Sequence, residues 1–221
     1  MDSETLAARL GALRVVPVVV IDDAAGAAPL AAALAEGGLP LAEVTFRTDA
    51  AAAAIAAMRA ARPDVLVGAG TVLDPATVDR ALDAGAEFIV APGLNPAVVE
   101  RCQERGMAVV PGVATPSEIE AGLGRGLRLL KLFPAEALGG PRYLAAIAAP
   151  YRGLRFMPTG GIGPANLADW LALPQVAACG GTWIATTAAI AAGRWDEIRR
   201  NAAEAVALAR SAQEAVASAS A

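Results

Sequence analysis

The sequence predicts an α/β protein whose parallel strands close into a (β/α)8 TIM barrel. Eight short apolar segments alternate with helical stretches, which is the pattern of parallel strands joined by crossover helices. The chain has 221 residues, of which 56% are hydrophobic and 18% are charged, so it can form one barrel with a large core. The apolar segments begin near Val15, Leu41, Val65, Phe88, Ala108, Leu127, Leu154 and Val176.

An open, doubly wound sheet is the alternative architecture. Such sheets bind dinucleotides through a GxGxxG turn after the first strand, and no such turn follows the segment that begins at Val15. Eight segments also match the strand count of a barrel. Because no linker interrupts the pattern, we expect a single domain over residues 1–221.

Proline and glycine mark the helix boundaries. Several predicted helices have proline in the first turn, and several are followed by glycine, as at Gly85 and Gly106. The pattern also predicts a short N-terminal helix at residues 1–14 and a last helix from Trp195 to about Arg210. We expect residues 211–221 to form a frayed tail. The helices between them are expected at residues 24–36, 49–61, 75–84, 96–105, 116–123, 141–149 and 164–171.

Composition and charge exclude several classes of protein. A net charge of −4 gives no general attraction for nucleic acid or for an anionic membrane. The most apolar early run, residues 15–21, is too short to cross a bilayer and contains Pro17. Cys102 and Cys179 form no CxxC pair, so we expect reduced thiols. The expectation is a cytoplasmic protein with no nucleic-acid or membrane partner.

The chain has no histidine and a single lysine, Lys131. The missing histidine removes the commonest general base and the commonest metal ligand, so we expect neither a metal nor another cofactor. Lys131 stands in an apolar stretch, residues 129–133, whereas every other basic residue is arginine. A biased composition explains why lysine is scarce, but amine chemistry requires lysine, because a guanidinium stays protonated. The position of Lys131 therefore predicts a function.

Three polar side chains share one face of the second predicted strand. Strand side chains alternate between faces, which places Glu43, Thr45 and Arg47 together. Burying three polar groups is costly unless they are paired or functional. A buried ion pair between Glu43 and Arg47 is the structural alternative. The functional interpretation is a carboxylate and a guanidinium directed at the mouth of the barrel, where chemistry occurs in this fold.

A Gly-Gly pair follows each of the last two predicted strands, in PTGGI at residues 158–162 and in GGTW at residues 180–183. In barrels these two loops often bind phosphate through backbone N–H groups. The threonine hydroxyls add donors. Ordinary turn glycines are the alternative, but two pairs on neighbouring strands favour a phosphate site.

Seven segments together resemble the bacterial 2-keto-3-deoxy-6-phosphogluconate (KDPG) and 4-hydroxy-2-oxoglutarate (KHG) aldolase family. The resemblance runs in order from about Val15 to Glu204 and is far more specific than any one segment. The segments are EVTFRT at 43–48, GAGTVL at 68–73, PGL at 92–94, PGVAT at 111–115, KLFPAE at 131–136, PTGGI at 158–162 and GGTW at 180–183.

The resemblance implies a homotrimeric barrel that cleaves 2-keto-3-deoxy-6-phosphogluconate to pyruvate and glyceraldehyde 3-phosphate, a carbon–carbon lyase of the Entner–Doudoroff type. By position, Lys131 is similar to the Schiff-base lysine of the family and Glu43 to its acid/base. The other matching positions imply substrate-binding roles: Arg47 and Thr71 at the pyruvate carboxylate, Pro92 and Phe133 along the pocket, and Thr159, Gly160, Gly161, Gly181 and Thr182 at the phosphate.

Two positions depart from the common family pattern. Family members often have serine at the position of Thr182, and threonine keeps the hydroxyl group. Some relatives carry an arginine in the first strand, and residues 17–20 have none. This departure bears on which substrate is preferred and not on the chemistry of the reaction.

Alternatives remain for the reaction. The same chemistry could act on the C4-epimeric galactonate compound or on 4-hydroxy-2-oxoglutarate, although Thr159 favours the gluconate compound, because galactonate-type relatives tend to have an apolar residue there. A phosphate-binding barrel that isomerises its substrate without a covalent intermediate is a second alternative, and Lys131 argues against it. A non-catalytic binding barrel is the third, and it predicts binding without turnover.

Overall fold

The computed structural model describes residues 1–219 and shows nine short parallel strands that curl into a closed barrel. The predicted α/β barrel is therefore confirmed. The strands are β1 (Val15–Val19), β2 (Leu41–Thr45), β3 (Leu66–Gly70), β4 (Ile89–Val90), β5 (Val109–Val110), β6 (Gly112–Val113), β7 (Leu129–Leu132), β8 (Arg155–Phe156) and β9 (Cys179–Gly181).

Pro111 explains why the barrel has nine strand segments and eight positions. The hydrogen-bonded orders are β5-β4-β3-β2-β1-β9 and β6-β7-β8. Only Pro111 separates β5 from β6, and proline has no N–H to donate to a ladder. Parallel bridges from Phe156 to Val176 and from Thr159 to Gly180 join β8 to the β9 side and close the barrel.

The helices follow the strands as the sequence predicts, with caps that explain where they begin. Asp74, Asn95 and Thr115 each accept a backbone N–H through the side chain, and proline follows each of them. The helices are α1 (Ser3–Leu13), α2 (Ala27–Glu36), α3 (Ala51–Ala61), α4 (Pro75–Asp83), α5 (Pro96–Glu104), α6 (Pro116–Gly124), α7 (Gly140–Ala148), α8 (Leu167–Leu171), α9 (Thr187–Ala191) and α10 (Trp195–Ala219), with a 3-10 turn at Ala24–Gly26.

The C-terminal region differs from the expectation. The predicted tail, residues 211–221, is helical through Ala219, and Ser220 and Ala221 lie outside the described residues. Alanine has the highest helix propensity, and buried alanines on α10 continue as far as Ala212, so packing and propensity both extend the helix. The short helix α9 is also absent from the sequence prediction.

Two apolar cores hold the barrel together. One lies between the strands and the surrounding helices. The other fills the inside of the barrel, where Val16, Leu41 and Leu129 meet Leu6 and Leu10 of α1. Helix α1 therefore packs on the end at which the strands begin, and chemistry is left to the end at which they finish.

Within residues 1–219, no helix is long and apolar enough to cross a membrane.

Candidate active site

A cavity of about 420 Å³ opens at the carboxyl ends of the strands. Every residue to which the sequence assigned a site role lines this one cavity: Glu43, Arg47, Thr71, Pro92, Lys131, Phe133, Thr159, Gly160, Gly161, Gly181 and Thr182. They come from strands on all sides of the barrel. Parallel strands produce this convergence, because their carboxyl ends all point to the same face.

Lys131 and Glu43 are in contact inside the cavity. Lys131 Nζ lies 3.3 Å from Glu43 Oε1, and the two residues are only 5% and 0% exposed. The ammonium also lies 5.4 Å from the centroid of the Phe133 ring. The sequence also allowed a structural ion pair between Glu43 and Arg47. No such pair occurs within residues 1–219, because Glu43 pairs with Lys131 instead.

The barrel geometry explains why these two residues meet. Glu43 lies on β2, and Lys131 lies on β7, which occupies the sixth position of the barrel. The second and sixth positions face each other across the barrel axis. Alternate strands of a barrel contribute to one layer of side chains, so two even-numbered positions can place inward side chains at the same height.

Two buried oxygen atoms in the cavity are available to a ligand. Glu43 Oε2 and Thr159 Oγ1 have no hydrogen-bond partner anywhere in residues 1–219. Buried polar atoms normally find partners, so orphaned ones in a cavity indicate a binding role. Thr45 differs, because its hydroxyl already donates to the carbonyl of Val19 at 2.9 Å.

Arg47 and Thr71 form one end of the cavity. Arg47 follows β2, is exposed, and has no ion-pair partner among the described residues. Thr71 follows β3 and has a φ of +57°. A β-branched residue in the left-handed region is a conformational outlier, and such strain is concentrated at functional sites.

The turn after β8 and the end of β9 form the other end. The second Gly-Gly pair differs from the expectation, because Gly180 and Gly181 lie within β9 and pair with β1, and only the first pair forms a turn. Gly160 and Gly161 have φ values of +106° and +79°, which glycine adopts without strain. Thr182 lies beside them in the cavity wall. This end combines consecutive glycine backbone with threonine side chains, the kind of surface that accepts an anion through N–H and O–H donors.

Sequence reasoning missed two residues of the cavity wall, Val18 and Ile162. Both are apolar, so neither carries a chemical signal. Val18 could have been found by alternation, because it lies two residues from Val16, which faces the inside of the barrel. In the part of the chain that is described, no group of three His, Cys, Asp or Glu side chains could hold a metal.

The fold and the site define a class of protein: barrel enzymes with a buried amine beside a carboxylate at the strand ends. The family model for KDPG and KHG aldolases matches residues 6–201. The chain is 48% identical, over 87% of its length and 91% of the relative, to the 2-dehydro-3-deoxy-phosphogluconate aldolase of Haemophilus influenzae. It belongs to the KDPG and KHG aldolase family.

Solved structures agree with this assignment. A crystal structure of the KDPG aldolase of Legionella pneumophila, with pyruvate captured as a covalent carbinolamine intermediate, is similar at a TM-score of 0.86 and 40% identity, over 89% of this chain and 96% of that one. The KDPG aldolase of Zymomonas mobilis with 3-phosphoglycerate is similar at a TM-score of 0.84 and 40% identity, over 91% and 95%.

Proposed function

We propose that this chain is a class I aldolase that cleaves 2-keto-3-deoxy-6-phosphogluconate to pyruvate and glyceraldehyde 3-phosphate. The observation that carries the proposal is the buried contact of 3.3 Å between Lys131 Nζ and Glu43 Oε1 in the cavity. The names of the similar aldolases, and the covalent pyruvate intermediate of the Legionella enzyme, support the same reaction.

The chemistry requires an electron sink. Breaking the bond between C3 and C4 leaves an electron pair on C3, next to the ketone. If the amine of Lys131 first attacks the C2 carbonyl and water leaves, the resulting iminium nitrogen accepts that pair and an enamine forms. Protonation at C3 and hydrolysis then release pyruvate and return the free amine.

Glu43 carries the protons of this cycle. The amine must lose its proton before it attacks, and the carboxylate of Glu43 is in hydrogen-bond reach of it. The same group assists the loss of water, takes the proton of the C4 hydroxyl during cleavage, and returns one proton to C3 of the enamine. Its second oxygen, Oε2, is buried and unpartnered, so it can serve the substrate while Oε1 faces Lys131.

Arg47 and Thr71 bind the carboxylate of the substrate. A guanidinium can hold a carboxylate through two parallel hydrogen bonds, and Arg47 has no protein carboxylate as a competitor within residues 1–219. Pro92 and Phe133 form the walls between this end and Lys131.

The phosphate lies at the Gly160-Gly161 turn, with Gly181 and the hydroxyls of Thr159 and Thr182 around it. This end of the cavity lies away from the carbon atoms that react. Binding energy gained there aligns the scissile bond over Lys131, so phosphate recognition should appear in kcat/KM.

4-Hydroxy-2-oxoglutarate is a second candidate substrate, because the matching family model covers KHG aldolases as well. That substrate has a second carboxylate in place of the phosphate. Comparing kcat/KM for the gluconate compound, its C4 epimer and 4-hydroxy-2-oxoglutarate distinguishes the three, and we expect the gluconate compound to be best.

We further propose that the chain forms a homotrimer and acts in the cytoplasm. Resemblance supports the trimer, and the exposed side chain of Leu73 offers apolar contact surface. Light scattering should then give three times the 22.1 kDa of one chain. Two buried free thiols, Cys102 and Cys179, suit a reducing compartment, and fractionation of the cells that make the protein tests the compartment.

The decisive experiment is incubation with pyruvate and borohydride followed by intact mass and peptide mapping. The single lysine makes the result clear, because only Lys131 and the N-terminal amine can react. We expect a reduced pyruvyl adduct on Lys131. Lys131→Arg is the matched control, since it keeps a cation and removes the nucleophile.

Failure of the folded protein to form the adduct contradicts the Schiff-base mechanism and favours the non-covalent barrel. An adduct without cleavage of the phosphorylated substrate would keep the mechanism and reject the substrate.

A further inference from the structure

Glu136 lies just beyond the strand that carries Lys131 and contacts the Gly160-Gly161 turn. Its backbone N–H donates to the carbonyl of Gly160 at 3.0 Å, and the N–H of Ala135 donates to the carbonyl of Thr159 at 2.9 Å. The chain that leaves β7 is therefore paired with the turn that the proposed function assigns to the phosphate.

The side chain of Glu136 supports the same turn. A Cβ built on Gly161 would lie 2.7 Å from both Cβ and Cγ of Glu136, closer than real side-chain carbons approach each other. The backbone of Gly161 thus rests directly on the methylene groups of Glu136. Since Gly161 also has a φ of +79°, the position of this turn depends on what lies against it.

The carboxylate of Glu136 is anchored at its far end. Oε1 accepts the indole N–H of Trp170 at 2.6 Å, and Trp170 is fully buried on α8. A hydrogen bond to a charged acceptor is stronger than one between neutral groups. The side chain is therefore held at two points, by Gly161 along its methylenes and by Trp170 at its carboxylate.

Asn166 holds the other side of the turn. Its Nδ2 donates to the carbonyl of Gly161 at 3.1 Å, and its Oδ1 accepts the N–H of Gly163 at 2.8 Å. The carbonyl groups of Gly160 and Gly161 are both occupied by these contacts. The orientation of the two peptide planes, and hence of the N–H groups at the cavity, follows from Glu136 and Asn166.

We propose that Glu136 is a positioning residue for the phosphate end of the substrate, acting through Gly161 and without contact to the reacting atoms. The inference rests on the proposed function, because it needs a phosphate at this turn. It predicts that loss of the side chain weakens recognition of the phosphate and leaves the chemistry of Lys131 intact.

The test measures condensation of pyruvate with glyceraldehyde 3-phosphate and with glyceraldehyde. In Glu136→Ala, we expect KM for the phosphorylated aldehyde to rise about tenfold or more with little change in kcat, because small misplacements of binding groups are costly. The KM for unphosphorylated glyceraldehyde should stay unchanged. Borohydride trapping of pyruvate on Lys131 should proceed at the wild-type rate.

Matched variants separate positioning from general destabilisation. Glu136→Gln keeps the methylenes and an acceptor oxygen for Trp170, so it should restore most of the phosphate preference. Trp170→Phe removes the donor and should act like Glu136→Ala with a smaller effect. Glu120→Ala is the control, because Glu120 also accepts from an aromatic side chain, Tyr151, at 3.1 Å, and does not line the cavity.

An equal loss of activity on both aldehydes in Glu136→Ala overturns the inference, and so does an unchanged preference in both Glu136→Ala and Trp170→Phe. A wild-type protein that traps no pyruvate would instead contradict the proposed function, and the inference with it. The two failures are distinguishable, because only the second is visible in the wild type.

Discussion

Gly70 and Glu43 lie so close together that residue 70 has no space for a side chain. A Cβ built on Gly70 would lie 2.3 Å from Glu43 Oε1, the oxygen that faces Lys131 Nζ at 3.3 Å. The two residues are on neighbouring strands, β2 and β3. The absence of a side chain at position 70 therefore allows Glu43 to reach Lys131.

Gly70→Ala should displace Glu43 from Lys131 and lower kcat by about two orders of magnitude, the range of a lost general acid–base group. Steady-state cleavage of the phosphorylated substrate measures it. Gly11→Ala is the control, since nothing lies within 4 Å of a Cβ there and the change should slightly stabilise helix α1.

A double variant tests the stated cause. If displacement of Glu43 is the whole effect, Gly70→Ala combined with Glu43→Gln should be no worse than Glu43→Gln alone. If the reductions in kcat of the two single variants multiply in the double variant, Gly70→Ala damages the site in another way.

Replacing Thr71 should separate backbone strain from binding. Thr71 has a φ of +57°, so Thr71→Gly should relieve strain that Thr71→Ala retains. We expect the glycine variant to unfold in urea with a free energy about 1 kcal/mol higher than the alanine variant. Both variants lose the hydroxyl and should raise KM for pyruvate in condensation. An alanine variant at least as stable as the glycine variant would argue against strain.

Thr115 and Glu118 form a capping box at the start of α6, in which each side chain accepts a backbone N–H near the other residue. This capping box should make the stability of the protein depend on pH. Burial opposes ionisation of Glu118, but hydrogen bonds from Ala114 and Thr115 outweigh it and lower the pKa of the carboxyl. A group whose pKa is lower in the folded state stabilises the fold above its ordinary pKa of about 4.3. That contribution is lost as the pH falls through the folded value.

Glu118→Gln keeps an acceptor oxygen but removes the negative charge in the first turn of α6, so it should lower Tm at pH 7 by the equivalent of about 0.5 kcal/mol. The difference from the wild type should shrink as the pH falls below about 4. Calorimetry of both proteins from pH 7 to pH 3.5 measures it, and a difference that is constant across this range would reject the explanation.

The two thiols should be unreactive in the folded protein. Burial raises the pKa of the Cys102 thiol to about 12 and also raises the pKa of the Cys179 thiol. Only the thiolate attacks a disulfide reagent, so almost none is available at pH 8. We expect no titration with a chromogenic disulfide reagent in buffer and two thiols per chain in denaturant. Rapid labelling without denaturant would mean that a buried position opens readily.

Much of the site follows from the sequence because parallel strands bring their carboxyl ends to one face. Lys131 is conspicuous as the single lysine in an apolar strand, and the polar residues of β2 are conspicuous by alternation. The two Gly-Gly pairs can be read directly from the sequence. All of these residues line the same cavity, although their catalytic and binding roles stay predictions.

The sequence by itself therefore determined the barrel and the order of its predicted strands, because hydrophobic periodicity and strand polarity are local properties, and its resemblance to a family supplied the candidate residues at the mouth. Only the tertiary structure decided that Glu43 pairs with Lys131, that Arg47 has no ion-pair partner within residues 1–219, that Gly70 makes room for the first contact, and that Glu136 joins Trp170 to the turn at Gly161. Such pairings depend on how distant strands are staggered around the barrel and which side chains then share a layer, and that stagger appears only when the sheet closes.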